Sequence, residues 1–150
     1  YEMATKVLDS WALMAFFGEE PAAETVEKML LDAEAGKIKL LLSAINWGEI
    51  YYSVMRSDGQ AAAEQKAREI AALPVEIVGV GDDLLLVREA AVIKAGHRLS
   101  YADAFAAALA KTRKAELVTG DPEFKQVEGE IRIKWLERNC GTSSVAASLE

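Results

Sequence analysis

Four acidic residues are of the type and in the places to do chemistry: Asp9 in "VLDS", Glu49 in "SAINWGEIYY", Asp103 in "LSYADAFAAALA" and Asp121 in "VTGDPEF". No basic residue lies three or four positions from Asp103, and Glu49 has Ile45, Asn46, Tyr52 and Ser53 at those spacings. Each acid has an ordinary structural use. Asp9 suits the cap of a helix beginning at Ser10, Glu49 a solvated helix face, and Gly120-Asp121-Pro122 a turn. Ser100 to Asp103 fits the S/T-x-x-D/E capping form. Capping leaves the alanines around Asp103 unexplained. Ala106, Ala107 and Ala110 continue its face, and a helix held that close to other backbone would aim the carboxylate into a crevice, where it needs a counter-charge.

Together the four describe an oxygen-rich cluster. Carboxylates about 4 Å apart repel by ~4 kcal/mol per pair at an effective dielectric of about 20. Such a cluster holds either protons or a cation. Oxygen-only donors suit Mg²⁺ or Mn²⁺ rather than zinc. Ions of this kind can generate a hydroxide nucleophile and stabilise the leaving oxygen of a phosphodiester, with no His or Lys base. Ser10 and Thr119 could add hydroxyl ligands or supporting hydrogen bonds. The chain has one histidine, His97, and one cysteine, Cys140, which excludes a disulfide within the chain and a Cys-based zinc site and disfavours a His-dependent triad.

The elements that must position these acids follow from hydrophobic periodicity. Residues 5–9, 38–43, 75–80, 115–121 and 131–136 read as strands, the fourth ending in a turn. A helix with Pro21 in its first turn and Gly36 at its stop lies between the first two. Helical spacing recurs over 44–57, from Ala61 to about Pro74 with a turn at 57–60, after Asp82-Asp83, and along 99–110. Strands separated by helices imply right-handed crossovers and an α/β class: a three-layer α/β/α sandwich with a mostly parallel central sheet. Ligands in such sheets bind beyond the carboxyl ends of the strands, where the winding reverses. Asp9 and Asp121 fall at two such ends.

Length suits one domain, expected over 1–136, with 137–150 a flexible tail or expression remnant. No signal-peptide or membrane-span pattern is evident, and a cytoplasmic setting is the default. The net charge of −7 argues against broad electrostatic capture of nucleic acid, although bound cations would reverse the sign of an acidic site.

The ordered set "VLDS", "SAINWGEIYY", "LSYADAFAAALA", "LVTGDPEF" resembles PIN-domain nucleases, above all the VapC-type toxins of toxin–antitoxin pairs, over residues 5–136. The resemblance implies a PIN-like fold and Mg²⁺- or Mn²⁺-dependent endoribonuclease activity. Carried over by position, Asp9, Glu49, Asp103 and Asp121 would be the catalytic, metal-binding acids, with Ser10 and Thr119 supporting. It also implies a cognate antitoxin and a homodimer. The aromatics Trp11, Phe16, Phe17, Trp47, Tyr51 and Tyr52 could line a groove or dimer surface, though core packing is the simpler use for most. Candidate RNA contacts are Arg56, His97, Arg98, Lys125 and Arg132, whereas Lys111, Arg113 and Lys114 suit the end of their helix.

An RNA-maturation nuclease without antitoxin and a non-catalytic PIN-like binding or scaffold module are the alternatives. A haloacid-dehalogenase-type phosphatase would want an acid where Trp11 stands, and the acid pair and strand-end Lys of a receiver domain are missing. With few cations to spare, RNA affinity should depend on the metal: filter binding is expected to be tighter in Mg²⁺ than in EDTA, and equal affinity would count against the reading.

Overall fold

The apolar runs expected as strands form the centre of the molecule. The computed structural model describes residues 3–138, so Cys140 and the expected tail beyond Arg138 lie outside the described residues. β1 (Ala4–Leu8) leads through α1 (Ser10–Phe17) and α2 (Ala23–Glu34) to β2 (Ile38–Ser43). α3 (Ala44–Asp58) and α4 (Gln60–Ala71) carry the chain to β3 (Glu76–Val78). α5 (Leu85–Gly96) and α6 (Tyr101–Thr112) then lead to β4 (Glu116–Thr119), and a 3₁₀ helix (Pro122–Val127) precedes β5 (Ile133–Trp135). Every strand pair is parallel, in the order β3-β2-β1-β4-β5.

Alternation along the strands divides the core between two faces. Val7, Leu41 and Leu117 pack with α5, α6 and Phe124 of the 3₁₀ helix. Leu8, Leu40, Leu42 and Val118 pack with α1, α2, α3 and α4. The outcome is the expected α/β/α sandwich, its central strands apolar on both faces because both are covered. Among the described residues no helix is long and apolar enough to cross a membrane.

Several boundaries differ from the sequence reading. Pro21 precedes its helix, which begins at Ala23 after a turn closed by Ala23 N–H to Glu20 O at 2.8 Å. The third strand stops at Val78, short of the Gly79–Gly81 stretch in which Gly81 adopts φ +87°. The 57–60 turn contracts to Gly59, whose φ of 94° lets α4 start one residue after α3 ends. Leu84 stands at the N-cap of α5, and Asp83 before it accepts from Leu85 N–H at 3.2 Å.

α6 is buried round its whole circumference from Asp103 to Ala110, not along one face. Alanine makes this possible, because side chains of one carbon let the helix approach strands and helices together. None of the six aromatics is fully buried: five lie half-buried at the margin of one core cluster, and Tyr52 is exposed. They therefore form a margin rather than the core expected for most of them.

Winding reverses between β1 and β4, and their register pairs Leu8 with Val118. The next residues, Asp9 and Thr119, emerge side by side at the carboxyl rim. Gly120 follows, and a Cβ there would collide with the indole of Trp11. Gly120→Ala is therefore expected to destabilise the fold by ~1–3 kcal/mol, the usual cost of overpacking, in denaturant unfolding. Gly129→Ala, where a Cβ meets nothing within 4 Å, should change little.

Candidate metal centre

Each acid reaches the carboxyl rim from a different element. Asp9 caps α1: its Oδ1 accepts from Ala12 N–H at 2.9 Å, and its Oδ2 accepts from the Thr119 hydroxyl at 2.6 Å. Thr119 also accepts from Asp121 N–H at 3.0 Å, so one buried hydroxyl ties the ends of β1 and β4 together. Asp121 caps the 3₁₀ helix through Glu123 N–H at 2.9 Å. Ser100 caps α6 by accepting from Asp103 N–H at 3.1 Å. For Asp9 and Asp121, capping and a place at the carboxyl rim coexist.

Glu49 stands two turns into α3, half-buried, and accepts from the Ser10 hydroxyl. Asn46, one turn earlier, is fully buried; its amide donates to Ala102 O at 3.2 Å and, at 3.5 Å, to Glu49. This contact fastens the start of α3 to the start of α6. Its Oδ1 has no hydrogen-bond partner among the described residues.

Carboxylate oxygens of Asp103, Asp121 and Glu123 lie within 4.8 Å of one another, close enough to hold one ion. Asp9 and Glu49 stand outside that triad but act on it electrostatically. Burial pushes the Asp9 carboxyl up to about 8; the Thr119 hydroxyl and Ala12 N–H oppose the rise, and Asp103 and Asp121 add to it. Asp103 rises to about 7, first through burial and then through Asp121 and Glu49, with Ser100 opposing and Glu123 adding. Among the described residues no lysine, arginine or histidine forms an ion pair with any of the five acids.

Glu123 and Asn46 escaped the sequence reading. Glu123 lies two residues beyond Asp121, a spacing that is uninformative until the 3₁₀ turn folds it back. Asn46 shares a helix face with Glu49 at i, i+3, a cue that was legible.

The candidate RNA contacts scatter. Arg98 and Lys125 are exposed near the rim, and Gln126 of the 3₁₀ helix brackets Arg98 by bonding its backbone N–H and C=O. Arg56 lies two turns along α3 from Glu49, over the Tyr52 ring at 5.3 Å. Both ring nitrogens of His97 are engaged, by Ile93 O at 2.8 Å and Glu130 at 3.0 Å. Arg132 precedes β5 at the opposite, amino rim, away from the acids.

A family model for the PIN domain matches residues 6–130. No curated protein matches the chain significantly. Among solved structures the chain is similar to VapBC2 from Rickettsia felis bound to a promoter DNA fragment, with a TM-score of 0.69 at 16% identity, covering 89% of this chain and 99% of that one. DNA-bound VapBC from Salmonella typhimurium gives 0.69 at 18%, covering 88% and 98%. The sarcin-ricin loop cleaving toxin VapC20 of Mycobacterium tuberculosis gives 0.59 at 19%, covering 83% and 95%.

The raised Asp9 carboxyl has a consequence for stability. Its folded-state affinity for a proton exceeds the ordinary value of 3.8, so its contribution to stability is largest below that value and is lost as pH rises through about 8. In EDTA, Asp9→Asn is expected to melt a few degrees above the wild type near pH 9, the gap closing toward about pH 4. Added Mn²⁺ should stabilise the wild type at high pH more than Asp9→Asn, which keeps the Asp103, Asp121 and Glu123 triad but lacks the charge beside it; calorimetric melts at several pH values check both.

Proposed function

The chain belongs to the PIN domain family, and we propose on that premise that it is an endoribonuclease dependent on Mg²⁺ or Mn²⁺, the toxin of a toxin–antitoxin pair. The observation that carries this reading is the meeting of Asp103, Asp121 and Glu123 oxygens within 4.8 Å, beside Asp9 and Glu49, with no ion pair to any of them among the described residues. The donor set is all oxygen, which fits a hard divalent ion. The unpartnered Asn46 Oδ1 adds a buried oxygen on the same side of α3 as Glu49.

Asp103, Asp121 and Glu123 would hold the ion, and Asp9 would add charge from below with its oxygens fixed by Thr119 and Ala12. When bound, the ion supplies the Lewis acidity that lowers the pKa of water and stabilises the departing oxygen. Glu49, oriented by Ser10 and Asn46, is placed to accept a proton or a further ligand contact. Asn46 keeps α6 against α3, so that Asp103 does not recede. This division makes Asp9, Glu49, Asp103 and Asp121 the catalytic set, with Ser10 and Thr119 supporting it and Glu123 joining it. Arg98 and Lys125, exposed beside the acids, are the cations best placed to meet RNA phosphates there.

The toxin reading draws on the likeness to the VapBC structures, a family of toxin–antitoxin systems. Exposed Tyr52 and Met55 on α3, and Leu84, Leu85 and Val92 at α5, offer apolar surface to an antitoxin and a second copy of the chain.

Cleavage of a mixed RNA pool is expected with Mg²⁺ or Mn²⁺ and not with EDTA. Asp103→Asn should lower the rate by roughly 10²–10³-fold or more, the scale of losing one preorganised electrostatic group. Thr119→Val, which removes only the tether on Asp9, should cost about 10–100-fold. Cleavage in EDTA, or an Asp103→Asn enzyme of full activity, would overturn the assignment.

A further inference from the structure

The opposite rim of the sheet carries the opposite charge. Parallel strands all begin at one edge, and there Lys6 of β1, Lys39 of β2 and Arg132 before β5 meet Arg113 and Lys114 beyond α6 around a cleft of about 670 Å³. A smaller hollow of about 230 Å³ shares Lys114 and Arg132 and adds Lys111. Six of the chain's 17 lysines and arginines thus line one continuous surface on a protein of net charge −7.

Some of this charge is spoken for within the fold. Lys6 pairs with Glu116 at 2.6 Å, Lys39 with Glu76 at 3.4 Å and Lys111 with Glu89 at 3.5 Å. Glu130, the other acid of the lining, pairs with His97. The side chains of Arg113 and Lys114 have no carboxylate partner among the described residues, and Arg132 bonds only the Lys114 carbonyl, at 3.2 Å. Favouring the negative end of α6 accounts for Lys111 and Arg113 but not for cations delivered by the strands.

Lys114 adds a second, independent observation. The chain leaves α6 through a closing turn, with Ala115 N–H bonding Ala110 O at 2.8 Å and Lys114 N–H bonding Lys111 O at 3.2 Å. Lys114 occupies the left-handed position of that turn, φ 52°. Glycine takes this position without strain and is its usual occupant. Here a cation stands in its place, at the junction of both hollows, and strain of this sort points toward use.

We propose that this amino-rim groove binds the phosphodiester backbone of RNA, holding a part of the substrate outside the acidic centre. The inference rests on RNA being the substrate. α6 links the two sites: ten residues separate Asp103 from Arg113, ~15 Å along the helix. An RNA strand crossing the molecule would meet metal-held phosphate at one rim and arginine and lysine at the other. Arg113 and Lys114 are its principal contacts, and they require no metal.

The test measures binding of a labelled mixed-sequence RNA by anisotropy across a salt titration in EDTA, which silences the acidic centre. Lys114→Gly relieves the left-handed strain, so its melting temperature should equal or exceed that of the wild type while its RNA affinity falls several-fold. Arg113→Gln with Lys114→Gly should lower affinity roughly 10-fold and flatten the salt slope by about 1.4, the single-strand value for two lost phosphate contacts. In Mn²⁺ the double variant should cleave a dinucleotide as well as the wild type does and long RNA less well. Unchanged affinity and slope in a folded double variant would overturn the proposal, as would tighter binding of poly-glutamate than of RNA to the same residues. If wild type cleaves no RNA with any metal while these substitutions still weaken RNA binding, the nuclease reading fails and the groove stands.

Discussion

Buried like charge is the constraint around which this molecule is arranged. Asp9 sits in the end of the sheet, fully enclosed, with Asp103 and Asp121 acting on it and no ion pair to it among the described residues. Water would relieve such a carboxylate; the fold denies it water and supplies two hydrogen bonds instead, from Thr119 and Ala12. Those bonds position the oxygens without neutralising them. The stability to tolerate this comes from the two apolar layers above and below the sheet, which are continuous on each face. The raised proton affinity of Asp9 is the consequence of that enclosure, and packing elsewhere offsets its cost.

Alanine in α6 is a consequence of the same constraint. To bring Asp103 beside residues from β4, the helix must run close to the sheet and to α3 and α5 together. Larger side chains would hold it off by their own length. With Ala104, Ala106, Ala107, Ala108 and Ala110 all inaccessible, the helix is a backbone packed against backbone, and its first turn arrives at the rim. Asn46 then fixes that arrival by donating to Ala102 O. A buried polar link between two helices has one good geometry, whereas an apolar contact has many.

The sequence revealed what depends on local pattern and hid what depends on topology. Continuous apolar runs marked the strands, and residues 38–43 were legible to the residue because Ile38–Ser43 is bounded by Gly36-Lys37 before and a Ser43 cap after. Asp9 and Asp121 were legible as strand-end acids, since a strand followed by a capping acid is a local signal. Glu123 was not, because its approach to Asp103 depends on a 3₁₀ turn rather than on spacing along a regular element. Pro21 misled by a matter of two residues: its fixed φ suits a turn as well as a first helical position. Hidden most deeply was the basic rim. Lys6, Lys39 and Arg132 are far apart in the chain, and although Arg132 stood among the candidate RNA contacts, nothing local joins it to Lys6 and Lys39. Only parallel pairing, which registers Lys6 beside Glu116 and Leu117 beside Ile133, brings them to one edge.

That same pairing explains why net charge was a poor guide to what this surface can hold. An all-parallel sheet has two chemically distinct rims, one made of strand ends and helix starts, the other of strand starts and helix ends. Helix starts favour anionic side chains and helix ends cationic ones, so α6 alone, with Asp103 in its first turn and Lys111 in its last, already runs from acid to base. The other elements reinforce it, with Asp9 and Asp121 at one rim and Lys6 and Lys39 at the other. A total of −7 averages over this separation and erases it. For a polyanion approaching such a molecule, the field at each rim decides binding, not the sum: the acidic rim would need a divalent ion before it could take a phosphate, and the basic rim would not.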